Sequence, residues 1–344
     1  MHPFLAGLAA ALPPAGLWQA PVIVAVSGGG DSVALLLGLL RLAPADARLV
    51  VAHARHDLRP DAAADERFVA ALAARAGLPC ETRSLAVRHD PERRGEGLEA
   101  RARRLRYGFL AAVAHERGAR HVVVGHTADD QAETILHRAL RGTGVAGLAG
   151  MRSSRGLADG VALLRPLLRL SRGAARDFLV AAGEVWREDA SNADVRHARN
   201  FVRHELLARA ALGPYPAAAR ALGRLGGQAA AAAAALDSAA AFLLDAHAER
   251  CGHGGVVLHA AALAACDPLL LGHVLVALWK REGWPRRDMA ARHYEAVAAL
   301  VQAVGRGDGP VGPPFDLPAG VRAVPAPGRR IELVPRSPVR SAAQ

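Results

Sequence analysis

A run of small and polar residues follows a short β-branched segment near the start of the chain. It reads Val-Ile-Val-Ala-Val-Ser-Gly-Gly-Gly-Asp-Ser over residues 22–32. Glycines let the backbone turn tightly and leave its N–H groups open, and a helix starting at about Ser32 would add its own N-terminal N–H groups. The run therefore predicts a phosphate-binding loop, which comprises Ser27, Gly28, Gly29, Gly30, Asp31 and Ser32.

Two other phosphate-binding loops are excluded by residue type. A Walker A loop needs Gly-Lys followed by Ser or Thr, and the single lysine of this chain is Lys280. A dinucleotide-binding loop needs G-x-G-x-x-G, which the sequence S-G-G-G-D-S does not match. An aspartate can face a phosphate only across a cation, so we expect Asp31 to bind Mg²⁺.

Acidic residues and a histidine cluster in a second segment, Gly-His-Thr-Ala-Asp-Asp-Gln-Ala-Glu-Thr over residues 125–134. On a helix, His126, Asp130 and Glu133 follow the i, i+4, i+7 pattern of one face. Such carboxylates could hold Mg²⁺, or orient and deprotonate an incoming amine. Acids at a helix start also stabilise the helix, which would explain Asp129 and Asp130 but not the other two residues. We therefore predict catalytic roles for Asp31, His126, Asp130 and Glu133, with Asp31, Asp129 and Asp130 as candidate Mg²⁺ ligands.

The elements that must position both motifs alternate between strand and helix over the first 150 residues. The predicted strands are 21–26, 48–53, 82–87 and 121–125, and the predicted helices are 32–42, 61–77, 97–117 and 128–141. This alternation predicts an α/β fold with a doubly wound, mostly parallel sheet. Both motifs follow strands at their carboxyl ends, where such sheets bind ligands. Recurrent glycines between 142 and 172 predict irregular loops.

A second, smaller domain is expected after Gly-Pro-Tyr-Pro at 213–216. We predict a catalytic domain over residues 1–212 and a mainly helical domain over 217–344, with helices at 217–249, 261–281 and 288–303. The end of the chain could add a hairpin within 320–334. The sequence is thus expected to carry one helical domain after the catalytic one.

The overall charge favours a polyanionic partner. Lys and Arg number 43 against 32 Asp and Glu, a formal net charge of +11. No apolar run reaches the ~20 residues that cross a bilayer, and the N-terminus lacks the basic start of a secretory signal. Three widely spaced cysteines form no C-x-x-C pair, which disfavours a zinc knuckle or an iron–sulfur site. We expect a cytoplasmic protein without a membrane partner.

The loop S-G-G-x-D-S resembles that of the PP-loop ATP pyrophosphatases, which cleave ATP between its α and β phosphates. The second segment, together with later stretches, resembles the bacterial tRNA(Ile)-lysidine synthases. These stretches are His56-Asp-Leu-Arg59, Glu99-Ala-Arg101, Arg103-Arg-Leu-Arg-Tyr107, Leu164-Arg-Pro-Leu-Leu168, Trp186-Arg-Glu-Asp-Ala-Ser-Asn192 and Arg199-Asn-Phe-Val-Arg203. Two positions depart from the family pattern: Thr127 replaces a second histidine, and Asp57 replaces a glycine.

The resemblance implies ATP-dependent ligation of L-lysine to C2 of the wobble cytidine of a CAU-anticodon tRNA(Ile). The products would be lysidine, AMP and pyrophosphate, formed through an adenylated tRNA with ATP as co-substrate and Mg²⁺ as cofactor. The implied tRNA-binding residues are His56, Arg59, Arg103, Arg106, Arg199 and Arg203. The resemblance also implies that the first domain, 1–212, binds ATP and that the helical domain, 217–344, binds tRNA. A PP-loop tRNA thiolase remains the alternative, although the thiolases that resemble this chain most use paired cysteines. A homodimer also stays open.

Overall fold

The computed structural model describes residues 1–13, 16–56, 62–91, 96–188, 198–286, 288–307 and 312–336. Its contacts divide the chain into two compact units, Met1–Ala229 and Ala230–Gln344. This division falls inside a long helix rather than at the predicted boundary of 213–216. The assignment of functions to the two predicted domains stays a prediction. Among the predicted site residues, Arg59 lies outside the described part of the chain.

The first unit is built around a six-stranded sheet with the strand order β3-β2-β1-β4-β6-β5. The strands are β1 (Val22–Ala25), β2 (Leu49–His56), β3 (Cys80–Leu85), β4 (His121–Val124), β5 (Ser154–Ala158) and β6 (Val161–Leu164). Neighbours run parallel except for β5, which pairs with β6 in antiparallel fashion. The central strand β1 is fully buried at Val22, Ile23 and Val24, as expected of a strand covered on both faces. The predicted α/β fold is confirmed.

Helices flank this sheet and follow its strands. They are α1 (Pro3–Ala11), α2 (Gly30–Leu42), α3 (Ala62–Arg75), α4 (Leu98–Glu116), α5 (Ala128–Leu140), α6 (Val145–Leu148) and α7 (Arg172–Ala181). One buried cluster joins α1 and α2 to one face of the sheet, and a second joins α4 to strand residues that include Ile23 and Val122. The helices predicted before residue 142 are therefore present, with small differences at their ends.

The prediction of irregular loops between 142 and 172 is wrong for part of that segment. Strands β5 and β6 form a hairpin there and extend the sheet beyond β4. Asp159-Gly160 makes its turn, with Gly160 in the left-handed region at φ 68°. Asp-Gly between two short strands is a hairpin signal, but the many glycines of the segment concealed it.

A second helical stretch after α7 begins at Ala198. Helix α8 (Ala198–Phe201) continues through a π-helical stretch, Val202–Leu207, into α9 (Ala208–Leu212). The chain is thus helical from Ala198 to Leu212, with a π-helical stretch inside it. The next helix, α10 (Ala218–His247), contains the division between the two units.

The second unit combines helices with a five-stranded antiparallel sheet. Its helices are α11 (Ala260–Leu263), α12 (Pro268–Arg281) and α13 (Ala291–Arg306). Its strands, in the order β7-β8-β11-β10-β9, are β7 (Ala248–Cys251), β8 (Gly255–His259), β9 (Phe315–Asp316), β10 (Val321–Ala326) and β11 (Arg330–Pro335). The helical character and the terminal hairpin are confirmed, whereas the other three strands were not predicted.

The prediction of one continuous helix over 261–281 is wrong, because Asp267 and Pro268 start a new helix. The Asp267 side chain accepts a hydrogen bond from the Leu269 N–H, and Pro268 occupies the first turn, which needs no proline N–H.

The helix α10 corrects the expectation that no segment is long and apolar enough to cross a bilayer. It is long and apolar enough to span a membrane by length and composition, with a mean hydropathy of 1.5. Its apolar character comes largely from alanine.

Candidate active site

The glycine-rich loop joins β1 to α2 and places backbone N–H groups at a helix N-terminus. Gly28 adopts φ 93°, a left-handed conformation that favours glycine. The Ser32 hydroxyl donates to the Gly29 carbonyl over 2.8 Å and accepts from the Ser27 N–H over 3.1 Å. Gly29, the residue before α2, makes no side-chain capping hydrogen bond to the first N–H groups of the helix. This geometry suits an anion.

The end of β4 packs directly against this loop. A Cβ atom at Gly125 would lie 3.0 Å from the backbone oxygen of Asp31 and 3.1 Å from the Ser32 nitrogen. Such distances are tighter than nine in ten real Cβ contacts, so glycine at this position favours the close approach of the two backbones. The two sequence motifs, separated by about 100 residues, are therefore neighbours in the fold. This was the central spatial prediction of the sequence.

A short extended segment after α7, residues 184–188, lies across the loop, and we call it the strap. The Arg187 N–H donates to the Gly28 carbonyl over 3.0 Å, and Arg187 forms a parallel bridge with Gly29. The Trp186 ring would lie 3.4 Å from a Cβ atom at Gly30. The strap thus holds the outer side of the loop. The local sequence around Trp186 and Arg187 carries no signal for a contact with the loop.

Ion pairs with flanking elements fix the strap. Arg187 pairs with Asp65 of α3 over 2.5 Å. Glu184 pairs with Arg75 of α3 over 2.9 Å. The phosphate loop is therefore held by contacts with another helix as well as by its own hydrogen bonds.

The acidic segment starts α5 with a capping box. The Thr127 hydroxyl is the acceptor for the Asp130 N–H, and Asp130 Oδ2 accepts from the Thr127 N–H over 2.8 Å. Thr127 is fully buried, Asp130 is 7% exposed and Glu133 is 1% exposed. Asp129 turns to α7, where its Oδ2 accepts from the backbone N–H of Arg172 over 2.7 Å. Hydrogen bonds thus hold the side chains of Asp129 and Asp130 in fixed directions.

Arg172 connects the two motifs. Its guanidinium lies 3.3 Å from Asp31, 3.2 Å from Asp130 and 3.6 Å from Glu133. Arg172 is not among the residues predicted for the site. Its position immediately after Ser171, the N-cap residue, was the available signal.

Two further arginines cover the acids from the α8 region. Arg203 pairs with both oxygens of Glu133, at 2.6 and 3.1 Å, and Arg199 pairs with Glu133 at 3.0 Å. Both also contact Asp130 Oδ1, at 3.2 Å for Arg199 and 3.4 Å for Arg203. Buried carboxylates need such partners. These arginines, predicted to bind tRNA, therefore lie on the predicted catalytic acids.

The ionisation of the site follows from burial and from these charges. Burial raises the pKa of Asp31 above its ordinary value, against the opposing charge of Arg172. Burial would also raise the pKa of Asp130, but Arg199, the Thr127 N–H and Arg172 outweigh it and lower that pKa. Asp130 therefore stays ionised at neutral pH, because arginines and a backbone donor stabilise its charge.

His126 is held in its neutral form. Burial lowers the pKa of His126 to about 3 against the opposing effect of Asp130, and the charge of Arg165 lowers it further. Its Nδ1 atom is buried without a hydrogen-bond partner in the described part of the chain. A neutral imidazole can accept a hydrogen bond at one nitrogen and donate at the other, so His126 suits a polar contact with a substrate better than proton donation.

The side chains fit a Mg²⁺ ion bridged by phosphates. Asp31 Oδ1 is buried beside the loop and has no hydrogen-bond partner among the described residues. Mg²⁺ commonly binds one or two carboxylates together with substrate phosphates and water. Within the described residues, no group of three or more His, Cys, Asp or Glu could hold a metal by itself. Asp31 is therefore the best placed of the predicted ligands, since Asp129 and Asp130 already bond to α7, Thr127 and the arginines.

The remaining predicted residues lie apart from the acids. His56 is the last residue of β2. Arg103 and Arg106 lie on α4, with their guanidinium carbons 5.1 and 5.4 Å from the centre of the Tyr107 ring. No contact of Arg103 or Arg106 with the acidic side chains is present within the described residues. Their predicted role in binding tRNA stays a prediction.

Comparison with known proteins identifies the family. A family profile described as a PP-loop domain matches residues 9–210, more than half of the chain. The tRNA(Ile)-lysidine synthase of Thermus thermophilus is 46% identical over 207 residues, which are 59% of this chain and 38% of that protein. The enzyme of the same name from Rhodopirellula baltica is 34% identical over 319 residues, covering 81% of this chain and 79% of the relative.

A solved structure shares the fold. The U34-tRNA thiolase NcsA from Methanococcus maripaludis, solved with its [4Fe-4S] cluster, superposes with a TM-score of 0.54 at 14% identity, over 65% of this chain and 77% of that one. The chain spans less than half the length of the first relatives that it matches, such as 38% of the Thermus protein. The PP-loop profile and the long match to the Rhodopirellula protein agree, and the chain belongs to the tRNA(Ile)-lysidine synthase family.

Proposed function

We propose that this chain uses ATP to join L-lysine to C2 of the wobble cytidine, position 34, of tRNA(Ile) with a CAU anticodon. The products are lysidine, AMP and pyrophosphate, so the enzyme is a ligase that forms a C–N bond. One observation carries the proposal in a chain of this family. Arg172 joins Asp31 of the phosphate loop to Asp130 and Glu133 of α5, so that nucleotide-binding and amine-binding groups share one site.

The first half-reaction would activate the cytidine. The N–H groups at the start of α2 would bind the β and γ phosphates of ATP, and the base oxygen O2 would attack the α phosphorus. The P–O bond to the β phosphate breaks, and pyrophosphate leaves with the negative charge that the loop stabilises. Mg²⁺ held by Asp31 would neutralise phosphate charge. The reacting base must leave its stack to reach the α phosphorus.

The second half-reaction would replace AMP by lysine. An amine of lysine attacks C2 of the adenylated cytidine, the C2–O2 bond breaks, and AMP leaves with that oxygen. Lysine enters as an ammonium, so it must lose protons before or during the attack. Asp130 and Glu133 would bind the ammonium and accept a proton. Because its pKa is lowered, Asp130 is better suited to pair with the ammonium than to accept a proton from it.

His126 would contact the nucleotide as a neutral group. Because its pKa is about 3, it carries no charge at the pH of the cell and does not repel the arginines near it. The partners proposed for this chain are tRNA(Ile), L-lysine and ATP, with Mg²⁺ as the ion that binds with ATP. The cytoplasm is the proposed location. A homodimer stays a prediction.

A tRNA thiolase is less well supported. The solved thiolase named above has a [4Fe-4S] cluster, and at 14% identity its likeness shows only the fold. The three cysteines of this chain are free, and they lie at the start of β3, at the end of β7 and before α12. Burial raises the pKa of Cys80, which makes its thiolate less abundant. These features do not suit a paired-cysteine sulfur transfer.

The decisive experiment measures AMP and pyrophosphate release with a CAU-anticodon tRNA(Ile) transcript. The proposal requires release that depends on lysine, together with a mass increase of the tRNA equal to lysine minus water. Transcripts with a CAU anticodon from tRNA(Met) serve as the matched RNA control. Turnover that ignores lysine and requires a sulfur donor would instead establish the thiolase reaction.

A further inference from the structure

A cluster of arginines without acidic partners lies next to the active site. Arg103, Arg106 and Arg155 place their guanidinium carbons 5.1, 5.4 and 4.8 Å from the centre of the Tyr107 ring. Arg165, which is 3% exposed, also acts on Tyr107. We call these five residues the arginine cage. Within the described residues, no carboxylate lies at ion-pair distance from any of its four guanidiniums.

The cage comes from separate elements that converge. Arg103, Arg106 and Tyr107 belong to α4, Arg155 belongs to β5, and Arg165 follows β6. Arg104 of the same helix, by contrast, pairs with Asp90 and Glu96.

Like charges held together destabilise each other unless an anion offsets them. Burial lowers the pKa of Arg106, and the neighbouring Arg103 lowers it further against the effect of Tyr107. Cation–π contacts with one ring supply only about 0.5–2 kcal/mol each and do not remove the repulsion. A free protein with such a cluster has a strong attraction for an oxyanion.

The exposure of the cage gives it an open side and a closed side. Arg103 and Arg155 are exposed, Arg106 is half-buried, and Arg165 is buried and donates to the Arg152 carbonyl over 2.9 Å. An anion can therefore approach the two exposed guanidiniums from solvent. The charges of Arg165, Arg106 and Arg103 also lower the pKa of His126 in the active site, after the larger effect of burial.

We propose that the cage binds a backbone phosphodiester of the RNA substrate, close to the nucleotide whose base reacts. This inference rests on the proposed function only in taking RNA as the substrate, and it adds Tyr107, Arg155 and Arg165 to the expected RNA-binding residues. The phosphates of ATP have their own site at the start of α2. A single amino-acid carboxylate would leave most of the cage charge unbalanced, whereas a phosphodiester in a strand brings further phosphates to the outer arginines.

The test measures binding of a short CAU anticodon hairpin to the full chain by fluorescence anisotropy, over a series of KCl concentrations and without ATP or lysine. Arg155→Gln should weaken binding of the hairpin about fivefold. It should also make the slope of log association constant against log salt concentration less negative by about 0.7. Arg103→Gln is the second variant, because both side chains are exposed and neither change should unfold the protein. Arg41→Gln, an exposed arginine at the end of α2, is the matched control and should leave both quantities nearly unchanged.

Methylphosphonate linkages, placed one at a time in the hairpin loop, identify the phosphate. At one linkage the substitution should weaken binding to the wild-type chain but not to Arg155→Gln. The proposal would be overturned if the effects of the methylphosphonate and of Arg155→Gln on binding were additive at every linkage. It would also be overturned if both variants kept the salt slope of the wild-type chain. A raised KM for lysine with unchanged RNA binding would overturn it in favour of the amino-acid carboxylate. Because RNA binding is measured without the other substrates, failure of the lysidine reaction leaves this test intact.

Discussion

Replacing Glu133 by glutamine should destabilise the first unit and reveal how the acidic cluster is balanced. Glu133 is 1% exposed, and its two oxygens accept from Arg203 at 2.6 and 3.1 Å and from Arg199 at 3.0 Å. Glutamine keeps the shape of the side chain but removes the negative charge and places an amide NH₂ against a guanidinium. The two arginines would then share a reduced negative charge.

The size of the effect follows from burial. Removing one partner of a buried ion pair costs about 3–5 kcal/mol. The arginine side chains are 32% and 21% exposed, and water reaches them in part, so we expect the lower end, about 3 kcal/mol. For a unit of this size such a loss lowers Tm by about 6–12 °C. Glu205→Gln is the matched control, on the helical stretch that carries Arg199 and Arg203, since its partner Arg209 is 79% exposed.

Differential scanning calorimetry of the full chain measures both variants. Glu205→Gln should lower the transition by less than about 2 °C, because an exposed i, i+4 pair contributes at most about 0.5 kcal/mol. The double variant Glu133→Gln, Arg203→Gln should lose less than the sum of its single variants, because each removes the same contact. If Glu133→Gln melts with the wild-type chain, the ion pairs contribute nothing to stability and the reasoning fails.

Three other predictions concern the loop, the histidine and the strap. Asp31→Asn should slow pyrophosphate release at least about 100-fold. It should not lower Tm, because burial already disfavours the charged carboxylate. Unchanged turnover would contradict the metal-binding role of Asp31. His126 takes up a proton on unfolding between pH 6.5 and about 3, so the wild-type chain should lose stability as pH falls through that window, by at most about 1.4 kcal/mol per pH unit. Urea titrations of His126→Asn should show a flatter profile there, and equal slopes would contradict the buried neutral state. Asp65→Asn should raise the KM for ATP severalfold with little change in kcat by loosening Arg187, whereas Asp46→Asn, at an exposed turn, should leave the KM for ATP unchanged.

The sequence predicts the sheet and the loop well because their signals are local. β-branched runs followed by Gly28 or by the acids of α5 identify strand ends, and a parallel sheet brings such ends together. The family match confirms the resemblance that those motifs carry. Local patterns also identify the two motifs that the fold brings together, the loop before α2 and the acids at the start of α5.

The sequence could not reveal which charges neutralise each other. Arg172 and Arg199 lie far along the chain from Asp31 and Glu133, and only the tertiary fold brings them together. A guanidinium on a helix surface has the same local pattern whether it faces solvent or a buried acid. The cage was hidden in the same way, because the approach of Arg155 to Tyr107 depends on a hairpin that the glycine content concealed.

The capping box at the start of α5 has a consequence for engineering. One oxygen of Asp130 holds the first turn through the Thr127 N–H, and the other faces Arg172 and Arg199. The same carboxylate therefore initiates a helix and orients the ion network, so a change at this position alters folding and chemistry together. A pair of substitutions that restores the helix start from a neighbouring side chain would be needed before loss of turnover could be attributed to Asp130 alone.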